Sequence, residues 1–173
     1  AYELGWFQRQ KDHLGVPQPL VGFAPHPPLC ALPVAPLTVL SPLTAKRVWI
    51  VFNIALLIAT MALLASATRL RVWQISILFV IFIIPLRSNF ILGQYYVLIL
   101  WIISLAYYFQ QQDKRFLSGV TLALAASLKI FPAVFLLLFL WKRNWKSAFG
   151  LVAGLVVLGG LSVLLFGLDV HRV

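Results

Sequence analysis

Acidic residues are scarce in this 173-residue chain: four Asp and Glu stand against fourteen Lys and Arg. The four are Glu3, Asp12, Asp113 and Asp169, and none interrupts an apolar run, so those runs carry no carboxylate chemistry of their own. One cysteine, Cys30, excludes an internal disulfide, and with His13, His26 and His171 at scattered spacings it forms no zinc pattern. Glycine-rich phosphate loops, GxSxG elbows, HExxH pairs and paired carboxylates are all missing, which leaves hydrolysis and nucleotide-dependent phosphoryl transfer without a motif. Neither a metal nor a cofactor is expected. The chain opens on Ala1 with no signal-peptide pattern and ends in "DVHRV" just after an apolar stretch, and so reads as an interior piece of a longer protein.

What is abundant is grease. Apolar residues make up 62% of the chain and charged ones 10%, with a mean hydropathy of +0.96, whereas soluble domains run near 45–50% and 25%. The net charge of +10 would suggest nucleic acid in a soluble protein. Here the basic residues sit in small groups between apolar runs, which points to membrane topology and lipid headgroups, with no nucleic-acid partner. The expected fold class is all-α, a polytopic integral membrane protein in a lipid bilayer.

Residues 1–28 form a proline-rich polar loop, and residues 29–173 a transmembrane helical domain. "LCALPVAPLTVLSPL", broken by Pro33 and Pro36, is too short to cross and reads as an interfacial or re-entrant helix. About four spans are expected, at Val48 to Ala67, Val72 to Leu86, Phe90 to Phe109 and Ala148 to Leu168, judged against the ~20 residues a crossing needs. Trp49, Trp73, Trp141 and Trp145 stand at segment ends, as an aromatic belt requires. The segment Phe116 to Leu140 differs, because Lys129 and Pro132 lie in its middle and proline breaks or kinks a helix. Its flanks "QQQDKR" and "WKRNWKS" are both basic. Either they share the cytoplasmic side and the segment is a re-entrant pair with Lys129 at its tip, or it is one kinked span. Basic-residue bias places Arg69, Arg71, Lys114, Arg115, Lys142, Arg143 and Lys146 inside. The proline-rich loop, "RSNFILGQ" and Lys129 then converge on an outer face.

Lys129 is the sharpest single feature. An ammonium among "LALAASLKIFPAVF" costs several kcal/mol at membrane depth unless it snorkels, pairs or faces water. It suits the phosphate of a lipid-linked substrate as a compact point charge, the alternative being a lysine snorkelling to a headgroup. In "LRSNFILGQYY", Arg87 is a candidate second cation, and Arg87 and Asn89 read equally well as loop residues. Gln94 follows Gly93 at the start of a membrane helix and can bond a neighbouring helix or a polar substrate. His26 heads "HPPL" and can contact a hydroxyl or relay a proton. "GLVVLGG" in the last helix offers small residues for close helix packing.

Three stretches together resemble glycosyltransferase family 87. They are "HPPLCALPVAPLTVLSP" with Trp49 and Asn53 downstream, "LGQYYVLIL", and "LSGVTLALAASLKIFPAVFLLLFLWKRNWK". His26 stands where the family has tyrosine before the prolines, and a tyrosine follows Gln94 in place of asparagine. The resemblance implies an inverting glycosyltransferase of the GT-C class in the plasma membrane, with its active site facing outward. It implies transfer of a hexosyl (mannosyl) or pentosyl residue from a polyprenyl-phosphate sugar donor to a glycolipid or glycan acceptor. It also implies a catalytic aspartate upstream of residue 1, leaving this chain inactive by itself. Lys129 and Arg87 are then expected to bind donor phosphate, and Gln94 and His26 to touch sugar or acceptor. Two rival readings are a transporter or flippase of lipid-linked intermediates and a non-catalytic membrane subunit.

Overall fold

The computed structural model describes residues 27–68 and 70–167. His26, nearly all of the proline-rich loop and three of the four acids lie outside the described residues. Helices α1 (Pro42–Ala67), α2 (Val72–Ile81), α3 (Ile83–Leu92), α4 (Tyr96–Gln111), α5 (Arg115–Leu128), α6 (Phe135–Trp141) and α7 (Trp145–Phe166) follow in order. Short 3-10 turns cover Pro28–Ala31, Ala35–Val39 and Phe131–Val134, and no strand occurs among the described residues. This is the expected all-α architecture, with outward faces rich in residues such as Ile84, Val156 and Leu164 that only a bilayer satisfies.

The elements start and stop for local reasons. The stretch read as an interfacial helix is instead two 3-10 turns, because Pro33 and Pro36 remove donors that a continuous α-helix needs. α1 begins with Pro42 in its first turn and Ser41 as N-cap, whose Oγ accepts from the Thr44 amide at 3.4 Å. Its 26 residues rise about 39 Å, enough to cross.

Among the described residues the candidate spans are fewer than the hydropathy suggests. Two helices, α1 and α7, are each long and apolar enough to cross, and the bent pair α2–α3 makes a third if counted as one span. The run Val72 to Leu86 is not straight: α2 and α3 meet at Phe82 with a 70° bend. Pro85 explains it, because it has no amide to donate to the Ile81 carbonyl and its ring crowds that oxygen. The run Phe90 to Phe109 is broken as well. Gly93, in the left-handed conformation at φ 64°, ends α3, and α4 starts afresh at Tyr96. α4 and α5, with 16 and 14 residues, rise only about 24 and 21 Å against a core of about 30 Å.

Contacts fix the directions of the helices. Trp49 stacks edge-on to Tyr95 near the starts of α1 and α4, and further along Leu64 lines one cavity with Leu100 and Ile103, so α1 and α4 run parallel. α5 runs back along α4: Lys129 meets Tyr96 at one end, and the Ser147 hydroxyl, near Gln110 at 3.0 Å, donates to the Arg115 carbonyl at 2.8 Å at the other. α7 then runs parallel to α5, with Gly150 against Phe116 and Gly154 against Ala123.

Between them, Phe131–Val134 and α6 return from Lys129 to the end where α5 began. Phe139 joins Leu122, Ala106 and Leu151 in one buried cluster, and Ser147 closes on Arg115. The segment Phe116 to Leu140 is thus a hairpin whose two basic flanks lie together, a tightly bent pair and not one kinked rod. Pro132 makes the turn possible: it cannot donate to the Leu128 carbonyl, and Lys129 takes an extended backbone at φ −155°, ψ 129°.

The closest helix contact is between α5 and α7. A Cβ on Gly119 would fall 2.1 Å from the Ser147 carbonyl oxygen, and one on Gly150 2.3 Å from that of Phe116. Only the first glycine of "GLVVLGG", Gly154, takes part; Gly159 and Gly160 have nothing within 4 Å among the described residues. The close-packing role expected of that motif therefore belongs mainly to Gly150, one turn before it on α7, and to Gly119 on α5.

Candidate functional site

The hairpin tip, the Gly93 turn and the start of α1 meet at one end of the bundle. Lys129 is half-buried at the tip. Its Nζ donates to the Tyr96 hydroxyl at 2.5 Å and lies 3.8 Å from the centre of the Tyr96 ring. A phenol oxygen and a ring face satisfy part of an ammonium but do not neutralise it. Asp113 is the single acid among the described residues, and it pairs with Arg115 at 2.7 Å at the opposite end of α5. Lys129 therefore presents a positive charge with no counter-ion among the described residues. In low-dielectric surroundings such a charge favours an anion.

The turn that holds Tyr96 is built by Asn89. Its side-chain Oδ1 accepts from the Tyr96 amide at 3.1 Å, and its carbonyl accepts from the Gln94 amide, also at 3.1 Å. This caps α4 across a break of three residues. Asn89 is 3% exposed and sits within α3, so it is a structural cap, and of its two readings the loop residue is the one that fails. Its Nδ2 has no hydrogen-bond partner among the described residues. Replacing Asn89 with alanine is expected to cost about 1 kcal/mol, lowering the thermal midpoint by about 2–4 °C. Differential scanning fluorimetry in detergent reads that shift; an unchanged midpoint would remove the cap from the account.

Beside this turn the bend between α2 and α3 opens a cavity of about 490 Å³. Ile75, Leu78, Phe79 and Phe82 form its apolar body, with Leu64 and Leu100 behind, while Ser88, Asn89, Gln94 and Tyr96 form a polar rim. Tyr96 is shared: its ring lines the cavity and its hydroxyl meets Lys129. A greasy slot ending at amide groups and a neighbouring cation suits a molecule with an apolar tail and an anionic head.

The structure unites some of the candidates and separates others. Lys129 and Gln94 come to one end, joined through Tyr96. Arg87 is exposed on α3, and no contact links it to Lys129 among the described residues. His26 lies outside the described residues. Burial pushes the Cys30 thiol above its ordinary range, so it packs as a protonated side chain against the core around Trp49. Sequence reasoning missed Tyr96 as the partner of Lys129, since 33 residues separate them and no periodicity connects the two. It also missed the environment of Asn53 on α1, which is 1% exposed; its Nδ2 donates to the Trp49 carbonyl and its Oδ1 has no partner among the described residues.

Residues 23–172 match glycosyltransferase family 87. The chain belongs to that family. No curated protein and no solved structure matches it. As a family 87 glycosyltransferase it acts on a sugar donor and an acceptor from within a membrane, and the apolar helices are the part that the bilayer holds. Gln94 and Tyr96, the cavity they line, and Lys129 at the hairpin tip are therefore the candidate substrate-binding elements of a glycosyltransferase. No group of three or more His, Cys, Asp or Glu side chains suited to a metal occurs among the described residues.

Proposed function

We propose that this family 87 glycosyltransferase takes its sugar from a polyprenyl-phosphate donor and transfers it, with inversion, to a hydroxyl of a glycolipid or glycan at the outer face of the plasma membrane. The transferred residue is a hexosyl such as mannosyl, or a pentosyl. What supports this reading is the pairing of one uncompensated cation, Lys129, with an apolar cavity whose polar rim includes the tyrosine that the lysine contacts. The prenyl chain lies in the cavity between α2, α3 and α4, and the phosphate reaches Lys129, displacing its bond to Tyr96. Arg87 assists from α3 when the headgroup is bound, and Gln94 and His26 touch sugar or acceptor.

In the reaction the acceptor oxygen forms a bond to the anomeric carbon as the bond from that carbon to the phosphate oxygen breaks. The acceptor's proton passes to a base, and the prenyl phosphate leaves with its charge held by Lys129. The base is an aspartate upstream of residue 1. In keeping with that, the described carboxylate, Asp113, is a helix length away from the tip.

The full-length protein, purified and reconstituted in host-free vesicles, is expected to transfer sugar from a polyprenyl-phosphate donor and not from a nucleotide sugar. Transfer from the nucleotide sugar alone would overturn the donor assignment. The 173-residue chain by itself is expected to be inactive in the same assay; turnover by it would place the base within these residues.

A further inference from the structure

A second cavity, of about 430 Å³, lies between α4 and the returning arm of the hairpin, at the end opposite Lys129. Leu64, Leu100, Ile103, Leu122, Phe135 and Leu138 give it an apolar body. Three of its polar groups stand where helices end, Gln110 in the last turn of α4 and Lys142 and Asn144 just after α6, while Ser104, Tyr107 and Ser118 lie along its wall. Ser147 ties Gln110 to the start of α5, so this polar mouth is held in place.

The charge at that mouth is lopsided. Lys114, Arg115, Lys142, Arg143 and Lys146 gather there, and the acid among the described residues, Asp113, is already paired with Arg115. Lys142 is exposed on the rim and has no partner among the described residues. An apolar slot the width of the gap between two helices, capped by a free ammonium within a basic cluster, fits an anionic glycerophospholipid. A soluble phosphate leaves the slot empty, and a zwitterionic lipid brings its own cation into the cluster.

We propose that this cavity takes an acyl chain of an anionic phospholipid, with the lipid phosphate at Lys142. The site is separate from the donor site, because its charged mouth lies at the other end of α5 and the two cavities share only Leu64 and Leu100. The proposal concerns binding and stands whether or not the donor assignment holds. A lipid there braces the open side of the hairpin, where α6 and α4 leave a gap.

The test uses full-length protein in nanodiscs of phosphatidylglycerol or phosphatidylcholine, followed by detergent extraction and native mass spectrometry of retained lipid. Phosphatidylglycerol is expected to be retained in preference. Lys142→Gln is expected to lower that retention about fivefold, the equivalent of ~1 kcal/mol for one basic residue at an anionic surface. Leu138→Trp, which fills the cavity, should abolish it, whereas Phe79→Trp in the other cavity should leave it unchanged. If Leu138→Trp elutes as an aggregate, Lys142→Gln decides alone. Equal retention of the two lipids, or retention of phosphatidylglycerol unaffected by Lys142→Gln, overturns the proposal. Displacement by soluble glycerol phosphate overturns it in favour of a bare anion site, and displacement by a polyprenyl phosphate in favour of a second carrier site.

Discussion

Replacing Gly119 with alanine is expected to force α5 and α7 apart and to destabilise the protein more than any other single-methyl change on these helices. The added Cβ would lie 2.1 Å from the Ser147 carbonyl oxygen and 2.6 Å from the Leu151 amide nitrogen, both main-chain atoms that no side-chain rotation can move. Overpacking of this kind costs about 1–3 kcal/mol, and the upper end applies because the obstacle is backbone. The displacement also opens the bond from Ser147 to the Arg115 carbonyl, which holds the two flanks of the hairpin together. Gly159→Ala and Gly160→Ala provide the internal control. Nothing lies within 4 Å of a Cβ at either position among the described residues, so the better helix propensity of alanine should leave stability equal or raised by about 0.5–1 kcal/mol. Thermal midpoints of the three variants in one detergent read the difference. Equal midpoints would mean that α5 and α7 do not pack through Gly119.

The second large effect is expected at Lys129. In the full-length enzyme, Lys129→Ala removes a charge-assisted contact worth about 1.5–3 kcal/mol, so the KM for a polyprenyl-phosphate donor should rise roughly ten- to hundredfold. Lys129→Arg keeps the charge and should recover part of the affinity. Tyr96→Phe deletes the hydroxyl that accepts from Nζ but leaves the ring beside it, and because the donor phosphate displaces that bond, KM should not rise. Wild-type kinetics for Lys129→Ala, with normal membrane insertion, would return this lysine to a headgroup anchor and take the donor assignment with it.

Parts of this arrangement are legible along the chain. The run from Val48 to Ala67 announces a crossing helix by hydropathy alone, and α1 extends it upstream to a Ser41 cap. Pro132 announces a break, because a missing amide is a property of the residue itself. The same rule applies to Pro85, yet it sits near the end of an apolar run where a kink looks like a terminus, so the 70° bend and the cavity it opens went unseen. Gly93 has the composition of a helix stop, but its left-handed geometry and the Asn89 cap depend on a backbone path that hydropathy does not encode.

The amino-acid order by itself determined that this is an all-α membrane protein, that it breaks at Pro132, and that a cation sits beside that break, while three motif-bearing stretches pointed to glycosyltransferase family 87. The fold class, the break and the cation follow from apolar content, missing amides and charge, all readable from neighbouring residues. Only the tertiary structure decided that Phe116 to Leu140 doubles back, that Lys129 meets Tyr96, and that Gly119 and Gly150 rather than Gly159 and Gly160 form the tight helix contact. The reason is physical: a kinked span and a hairpin share every local preference, and the choice between them is made by which distant faces pack, here α7 against α5 through two glycines.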